Sequence, residues 1–254
     1  MPGLWGHAAA VTKRGLAALI ITIVAGAVLV EPYLSLNPEQ SRIEVSGSLP
    51  YTVLVVHIFT AAVALVLGPL QFLAGVRARR RLHRAAGRTY LLGGVLPAAV
   101  TAVPVALWSG RLLTQVSLST AAMLWVVTAV LAYRSARSRD FAGHRAWMMR
   151  NYALTLLALT ARALVPIFLL VQVASGGAGL SGTASSGAEP AALARDLIPV
   201  GQTAAWIINL IVAEILIRRF HRGAGSGRPR DRATSARSAR SSGSGPADVR
   251  RGER

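Results

Sequence analysis

The sequence predicts an all-α membrane protein, a polytopic bundle of six transmembrane helices. Of its 254 residues, 53% are hydrophobic and only 15% are charged, well below the roughly 25% charged residues of an average soluble domain. Its mean hydropathy is +0.47. Six stretches are apolar and long enough to cross a bilayer core of roughly 30 Å. They cover residues 16–30, 52–75, 89–108, 117–133, 151–174 and 198–217.

The first stretch, 16–30, is short, and it needs Lys13 and Arg14 to extend toward the lipid headgroups. An alternative is a signal peptide, since Ala25-Gly26-Ala27 resembles a cleavage site. A transmembrane helix is favoured, because with only five spans the basic loops and tail would share one side of the membrane only by coincidence.

Basic residues predict the orientation. The formal net charge is +18, and 24 basic residues against four acidic ones lie in the N-terminus, the 76–88 and 134–150 loops and the segment after 217. The three alternate loops carry a net −2. The positive-inside rule then places both termini in the cytoplasm. The expected partners are the bilayer and its anionic lipids, with no specific nucleic-acid binding; protein partners stay open.

The chain divides into a cytoplasmic N-terminus (1–15), a transmembrane domain (16–219) and a tail (220–254). The tail is rich in Arg, Ser and Gly and has no apolar periodicity, so we expect it to be disordered. The external loop 175–197 is expected to be a flexible linker with a short helix at 190–196.

Two Arg-rich junctions share a pattern of His-Arg-Ala followed by Arg-x-Tyr. The matching residues are His83, Arg84, Arg88 and Tyr90 in the first junction and His144, Arg145, Arg150 and Tyr152 in the second. This predicts two helical hairpins, spans 2–3 and spans 4–5, related by a pseudo-twofold axis along the membrane normal. The alternative is that positive-inside hairpins simply accumulate Arg.

Span 2 carries a stripe of small and polar residues at steps of four and three, from His57 at its outer end to Gln71 near its inner end. Small residues let a neighbouring backbone approach, so the stripe predicts a packing face. Pro69 is expected to bend the helix and to leave one carbonyl unpaired.

Arg162 and Asn209 are predicted near mid-bilayer, where a charge is costly and needs a partner or a water-filled cavity. We expect two cavities: an outer one lined by His57, Arg162 and Asn209, and an inner one lined by Gln71, Tyr152 and Glu214. The alternative for the His, Gln and Asn is interhelical hydrogen bonding, and Glu214 can instead pair with Arg218.

His83 and His144 are candidates to hold one haem or a metal ion, because each begins a helix at the same side of the membrane. The alternative is contact with lipid phosphate or a neighbouring helix end. Cysteine is absent, and we find no Ser-His-Asp order, paired carboxylates or H-E-x-x-H. No enzyme class is therefore indicated.

The motifs HIFTAAVALVLGPLQF, RARRRLHRAAGRTY, HRAWMMRNYALTLLALTARALVP and WIINLIVAEILIRR resemble the bacterial membrane-protein family catalogued as domain of unknown function 2306. The resemblance runs from about residue 16 to 219. It implies a multi-pass inner-membrane protein, and it brings no established activity, substrate or cofactor. The chain departs from the family pattern where ALWSGRLLT leaves the third span.

The leading functional hypothesis is intramembrane binding of a small anionic, quinone-like or haem-type ligand around Arg162, Asn209 and His57. One alternative is a transporter whose two hairpins rock around Arg162, favoured by prolines within spans. Another is a non-catalytic scaffold whose Arg-rich face and tail recruit partners.

Overall fold

A computed structural model describes residues 13–40, 47–175 and 190–225. Residues 1–12, 41–46, 176–189 and 226–254 lie outside the described residues, so the expectations about them stay predictions. Of the predicted tail (220–254), residues 220–225 are not disordered but continue α9, and the short helix predicted at 190–196 is the beginning of that same helix. Within the described residues the helices are α1 (Lys13–Val30), α2 (Ser48–Phe72), α3 (Ala74–Ala78), α4 (Arg80–Arg88), α5 (Leu96–Leu107), α6 (Leu112–Arg137), α7 (Phe141–Thr155), α8 (Leu157–Ala174) and α9 (Pro190–Gly225). A π-helical segment, Thr89–Val95, joins α4 to α5.

Six stretches of helix in the described residues are long and apolar enough to cross a membrane. They are Gly15–Tyr33, Ser48–Phe72, Arg80–Leu107, Leu112–Arg137, Leu157–Ala174 and Leu193–Arg222. The predicted all-α class and the six spans are confirmed. The third, fourth and sixth of these helices extend past the predicted spans at their basic ends, because a helix continues into the headgroup region while the apolar run ends at the hydrocarbon boundary. The second ends at Phe72, three residues before its predicted end. We call the end formed by residues 77–88 and 134–145 the Arg-rich end.

Two of the predicted spans are not single regular α-helices. The third, predicted over 89–108, begins with the π-helical segment and continues as α5, within one unbroken helical stretch from Arg80 to Leu107. Pro97 supplies no N–H to the carbonyl of Gly93, four residues earlier. The fifth, predicted as one helix over 151–174, is interrupted at Leu156 between α7 and α8. No Gly or Pro marks that break, so no local residue pattern predicts it.

The stripe on α2 is a packing face, as predicted, and it lies against the third span in antiparallel register. A Cβ placed on Gly94 would come within 2.9 Å of the backbone nitrogen of Ala64, so only glycine allows this approach. The pairs in register are His57 with Ala98, Ala64 with Gly94, and Gln71 with Gly87.

The chain separates into two compact units, one ending at Ala213 and one beginning at Glu214. In the second unit, the described part is the end of α9, where Glu214 Oε1 lies 3.4 Å from Nε of Arg218. This i,i+4 ion pair is the alternative that the sequence offered for Glu214. The candidate site lies within the first unit.

Candidate functional site

A buried hydrogen-bond network joins the π-helical segment to α6 and α7. The Tyr90 hydroxyl donates to Oδ1 of Asn151 at 2.6 Å and lies 3.1 Å from Oγ1 of Thr155. The Asn151 amide donates to the Trp125 carbonyl and to Oγ1 of Thr128, both at 2.8 Å. The Trp125 indole donates to Thr155 at 3.1 Å. All five residues are buried, so the network ties the first hairpin to the second through mutually satisfied polar groups.

Sequence reasoning identified only Tyr90 in this network. The other four members were missed because none of them recurs in the two junction motifs. A weak signal was available, since Asn151 directly precedes the second motif tyrosine. The motif tyrosine itself is the better marker, because a buried phenol needs a hydrogen-bond partner.

Tyr152 makes the corresponding connection in the opposite direction, from α7 to α2. Pro69 has no N–H for the carbonyl of Leu65, four residues earlier, and the Tyr152 hydroxyl donates to that carbonyl at 3.2 Å. The predicted unpaired carbonyl is therefore satisfied by a side chain of the other hairpin. The Tyr152 ring lies on Gly68, where a Cβ would come within 2.0 Å of a ring carbon, and 6.0 Å from the ring of Phe72.

The structure brings His83 and His144 together at the Arg-rich end. Their ring centroids are 6.4 Å apart, with the ring planes at 85°. His144 Nδ1 donates to the Ala132 carbonyl at 2.9 Å, whereas His83 Nδ1 is buried without a hydrogen-bond partner in the described part of the chain. No group of three or more His, Asp, Glu or Cys forms a metal site among residues 13–40, 47–175 and 190–225. Metal or haem binding by this pair remains a prediction.

The arginines of the two junction motifs lie at the surface or near it. Arg84, Arg88 and Arg145 are exposed. Arg150 is half-buried, with its guanidinium 4.6 Å from the ring centre of Trp147, a cation–π contact. These side chains form the basic surface of the Arg-rich end.

His57 and Gln71 both lie in the packing face of α2. His57 Nδ1 is 2.9 Å from the Ala98 carbonyl, so the ring bonds α2 to α5. Gln71 is buried with its Oε1 toward Gly87, and its Nε2 has no hydrogen-bond partner within the described chain. The bond of His57 is the interhelical kind that the sequence offered as the alternative to a ligand contact.

Asn209 bridges the two sides of the break in the fifth span by hydrogen bonds. Its Nδ2 donates to the Ala153 carbonyl at 3.0 Å and its Oδ1 accepts from the Thr160 hydroxyl at 3.0 Å. The last carbonyls of a helix lack intrahelical partners, so Asn209 stabilises the end of α7 where the chain turns at Leu156. Arg162 is exposed on α8, and its Nη1 donates to the Ala158 carbonyl at 3.1 Å.

A pocket of about 270 Å³ opens beside Tyr152 at the Arg-rich end. Its lining residues are Gly15, Ala18, Pro69, Phe72, Leu73, Ala74, Arg77 and Tyr152. Among the predicted site residues Tyr152 lines it, while Arg77 was counted only as a positive-inside charge. The pocket combines apolar and aromatic walls with one guanidinium and one phenol, which is the composition of a site for a ligand with an apolar body and an acceptor oxygen.

Comparison with known proteins adds the family. Residues 54–178 match a family model described as a predicted membrane protein, DUF2306. We call residues 54–178 the DUF2306 segment, because they are similar to this family. No curated protein and no solved structure matches the chain.

The DUF2306 segment contains both motif tyrosines, the His83–His144 pair and the whole buried network. It also contains the α2, α3 and α7 walls of the pocket, including Arg77 and Tyr152. It leaves out the α1 wall formed by Gly15 and Ala18, and it ends before Asn209. DUF2306 is a family of unknown function, so only the residues of the site indicate a ligand.

Proposed function

We propose that this membrane protein binds a small anionic or quinone-like ligand, and that the ligand enters the pocket between Arg77 and Tyr152. The observation that carries the proposal is that Arg77 lines a cavity whose other walls are apolar and aromatic. A guanidinium is a fixed positive charge with several donors, and it recognises carboxylate and phosphate oxygens. An anionic head with an apolar body is therefore favoured over a neutral quinone.

The size of the pocket limits the ligand. Its 270 Å³ lies near the lower end of the roughly 300–1,000 Å³ of small-molecule sites. A headgroup or a single ring fills it, and the chains of a lipid must remain in the bilayer. The ligand class is thus a small acid or the headgroup of an acidic lipid.

We also propose that the Arg-rich end faces the cytoplasm, with both termini on that side of the inner membrane. The support is the charge asymmetry between alternate loops, a net +20 against −2. In this orientation the pocket opens toward the cytoplasmic leaflet, whose anionic lipids attract basic surfaces. Acidic headgroups are then concentrated where the pocket opens.

The test compares two exposed arginines at the same end of the bundle. The protein is purified in mild detergent with phosphatidylglycerol or ubiquinone, and retained molecules are measured by native mass spectrometry. We expect Arg77→Gln to lower phosphatidylglycerol retention about tenfold, which is about 1.4 kcal/mol and fits the loss of one charge-assisted hydrogen bond. Arg84→Gln, the matched control, should retain it as the wild type does.

Equal retention by Arg77→Gln and the wild type would refute the site. Retention of ubiquinone in preference to phosphatidylglycerol would assign the quinone-like class instead. A Soret absorption band in the purified protein would favour haem at His83 and His144 over this pocket.

Transport is a second candidate, favoured by the π-helical segment in the third span and the break in the fifth. The π-helical segment begins at Thr89, beside Tyr90, and the break at Leu156 follows Tyr152 by one turn. Interrupted helices in paired positions are typical of transporters built from repeats. A carrier should move fluorescent phosphatidylglycerol between the leaflets of proteoliposomes, and Arg162→Ala should slow that movement if the hairpins rock around this residue. If the lipid moves no faster than in protein-free liposomes, transport is refuted and binding is the function that remains.

A further inference from the structure

We infer that Tyr152 senses a ligand in the pocket and acts as a latch between the two hairpins. The ligand accepts the hydrogen bond that the Tyr152 hydroxyl now donates to α2, and the hairpins then separate at the Arg-rich end. This inference rests on the proposed binding function and concerns the regulation of the same site. Tyr152 is the one described residue that both lines the pocket and donates to the carbonyl left unpaired by Pro69.

The latch depends on a single proton. A phenol has one O–H, so it donates one full hydrogen bond at a time. At present the acceptor is the Leu65 carbonyl at 3.2 Å, a long bond for an O–H donor, whose usual range is about 2.5–3.0 Å. A phosphate or carboxylate oxygen held by Arg77 is a stronger acceptor than a carbonyl, so it competes for the same proton.

Release of that bond frees the contact between α2 and α7. The Tyr152 ring lies directly on Gly68, and the hydroxyl bond fixes its position there. The break at Leu156 divides α7 from α8, so α7 can tilt relative to α8 about the hydrogen bonds by which Asn209 joins Ala153 to Thr160. The movement is expected at the Arg-rich end, where α7 begins.

Tyr90 occupies the corresponding position in the first motif, but it is closed off from the pocket. It is fully buried, it does not line the pocket, and its hydroxyl bonds Asn151 at 2.6 Å with Thr155 at 3.1 Å. A ligand has no access to it. The Tyr90 network therefore stays closed and serves as the fixed point about which the hairpins open.

The experiment measures a distance between the hairpins. The chain has no cysteine, so Leu82→Cys on α4 and Phe141→Cys on α7 can carry spin labels, and both positions are exposed. Distances are recorded by double electron–electron resonance in phosphatidylcholine nanodiscs with and without phosphatidylglycerol. Tyr133→Cys with Phe141→Cys, both in the second hairpin, is the control pair.

We expect phosphatidylglycerol to shift the 82–141 distance to longer values and to leave the 133–141 distance unchanged. Tyr152→Phe should show the longer distance in phosphatidylcholine alone, with no further response to phosphatidylglycerol. Gly68→Ala should do the same, because its Cβ displaces the ring. Tyr51→Phe on α2 is the same atomic change at a hydroxyl that has no hydrogen-bond partner in the described chain, and it should keep the wild-type response.

The outcomes separate the two proposals. Wild-type distances in Tyr152→Phe overturn the latch, whether or not any lipid binds. Arg77-dependent retention of phosphatidylglycerol without a distance change also overturns the latch but supports the binding site. Absence of retention in the wild type overturns the binding function, and the distances in Tyr152→Phe and Gly68→Ala still decide whether the tyrosine holds the hairpins together.

Discussion

Asn151→Ala is the sharpest test of the buried network, because one side chain makes three of its hydrogen bonds. The amide accepts from Tyr90 and donates to the Trp125 carbonyl and to Thr128, and Asn151 has no exposed surface. Each bond contributes about 0.6 kcal/mol by the average of double-mutant cycles in a membrane protein, and up to about 1.5 kcal/mol by the general estimate for proteins. Three lost bonds therefore predict that the free energy of unfolding falls by about 2–4 kcal/mol.

The assay is equilibrium unfolding in mixed micelles of a mild detergent and sodium dodecyl sulfate, followed by tryptophan fluorescence. The matched control is Asn37→Ala, the same change at a site where the side chain only accepts a local bond from the Glu39 amide. We expect that variant to unfold within about 0.5 kcal/mol of the wild type, as surface substitutions usually do. A loss in Asn151→Ala no larger than in the control would refute the view that this network joins the hairpins.

Three further predictions use the same unfolding assay. Gly94→Val should prevent stable folding, because its Cβ would overlap the α2 backbone. Gly93→Ala should be tolerated, because its Cβ makes only an ordinary contact at 3.6 Å. A stable Gly94→Val variant would contradict the close approach of the two helices. His57→Leu should lower the free energy of unfolding by about 1 kcal/mol, and His57→Asn should restore part of it by supplying an N–H near the Nδ1 position; equal losses would show that the hydrogen bond contributes nothing. Ser117→Ala removes the acceptor of two hydrogen bonds between α6 and α9 and should lower the free energy of unfolding by about 1–2 kcal/mol. Its control, Ser119→Ala, removes a buried hydroxyl that lacks a partner in the described chain and should leave that free energy unchanged or raise it.

The sequence by itself determined the membrane class, the number of spans and the face that α2 presents to its neighbour. These properties follow from local physics. Hydropathy reports transfer into a bilayer, whose thickness sets the length of a span, and the helical period places His57 and Gln71 on one stripe. The i,i+4 spacing likewise predicted the Glu214–Arg218 pair.

Tertiary structure alone decided which polar residues meet. Tyr90 and Asn151 are 61 positions apart, and Tyr152 and Leu65 are 87 apart, and no periodicity within one helix specifies a bond to another. The packing of the helices places Arg77 and Tyr152 in one pocket, and a count of charges cannot indicate that they share it. The break at Leu156 has no local marker, because the Ala153 carbonyl beside it is satisfied from a distant helix by Asn209. In a bilayer every backbone group needs a partner, so the sequence indicated that partners must exist, and only the packing of the helices selected them.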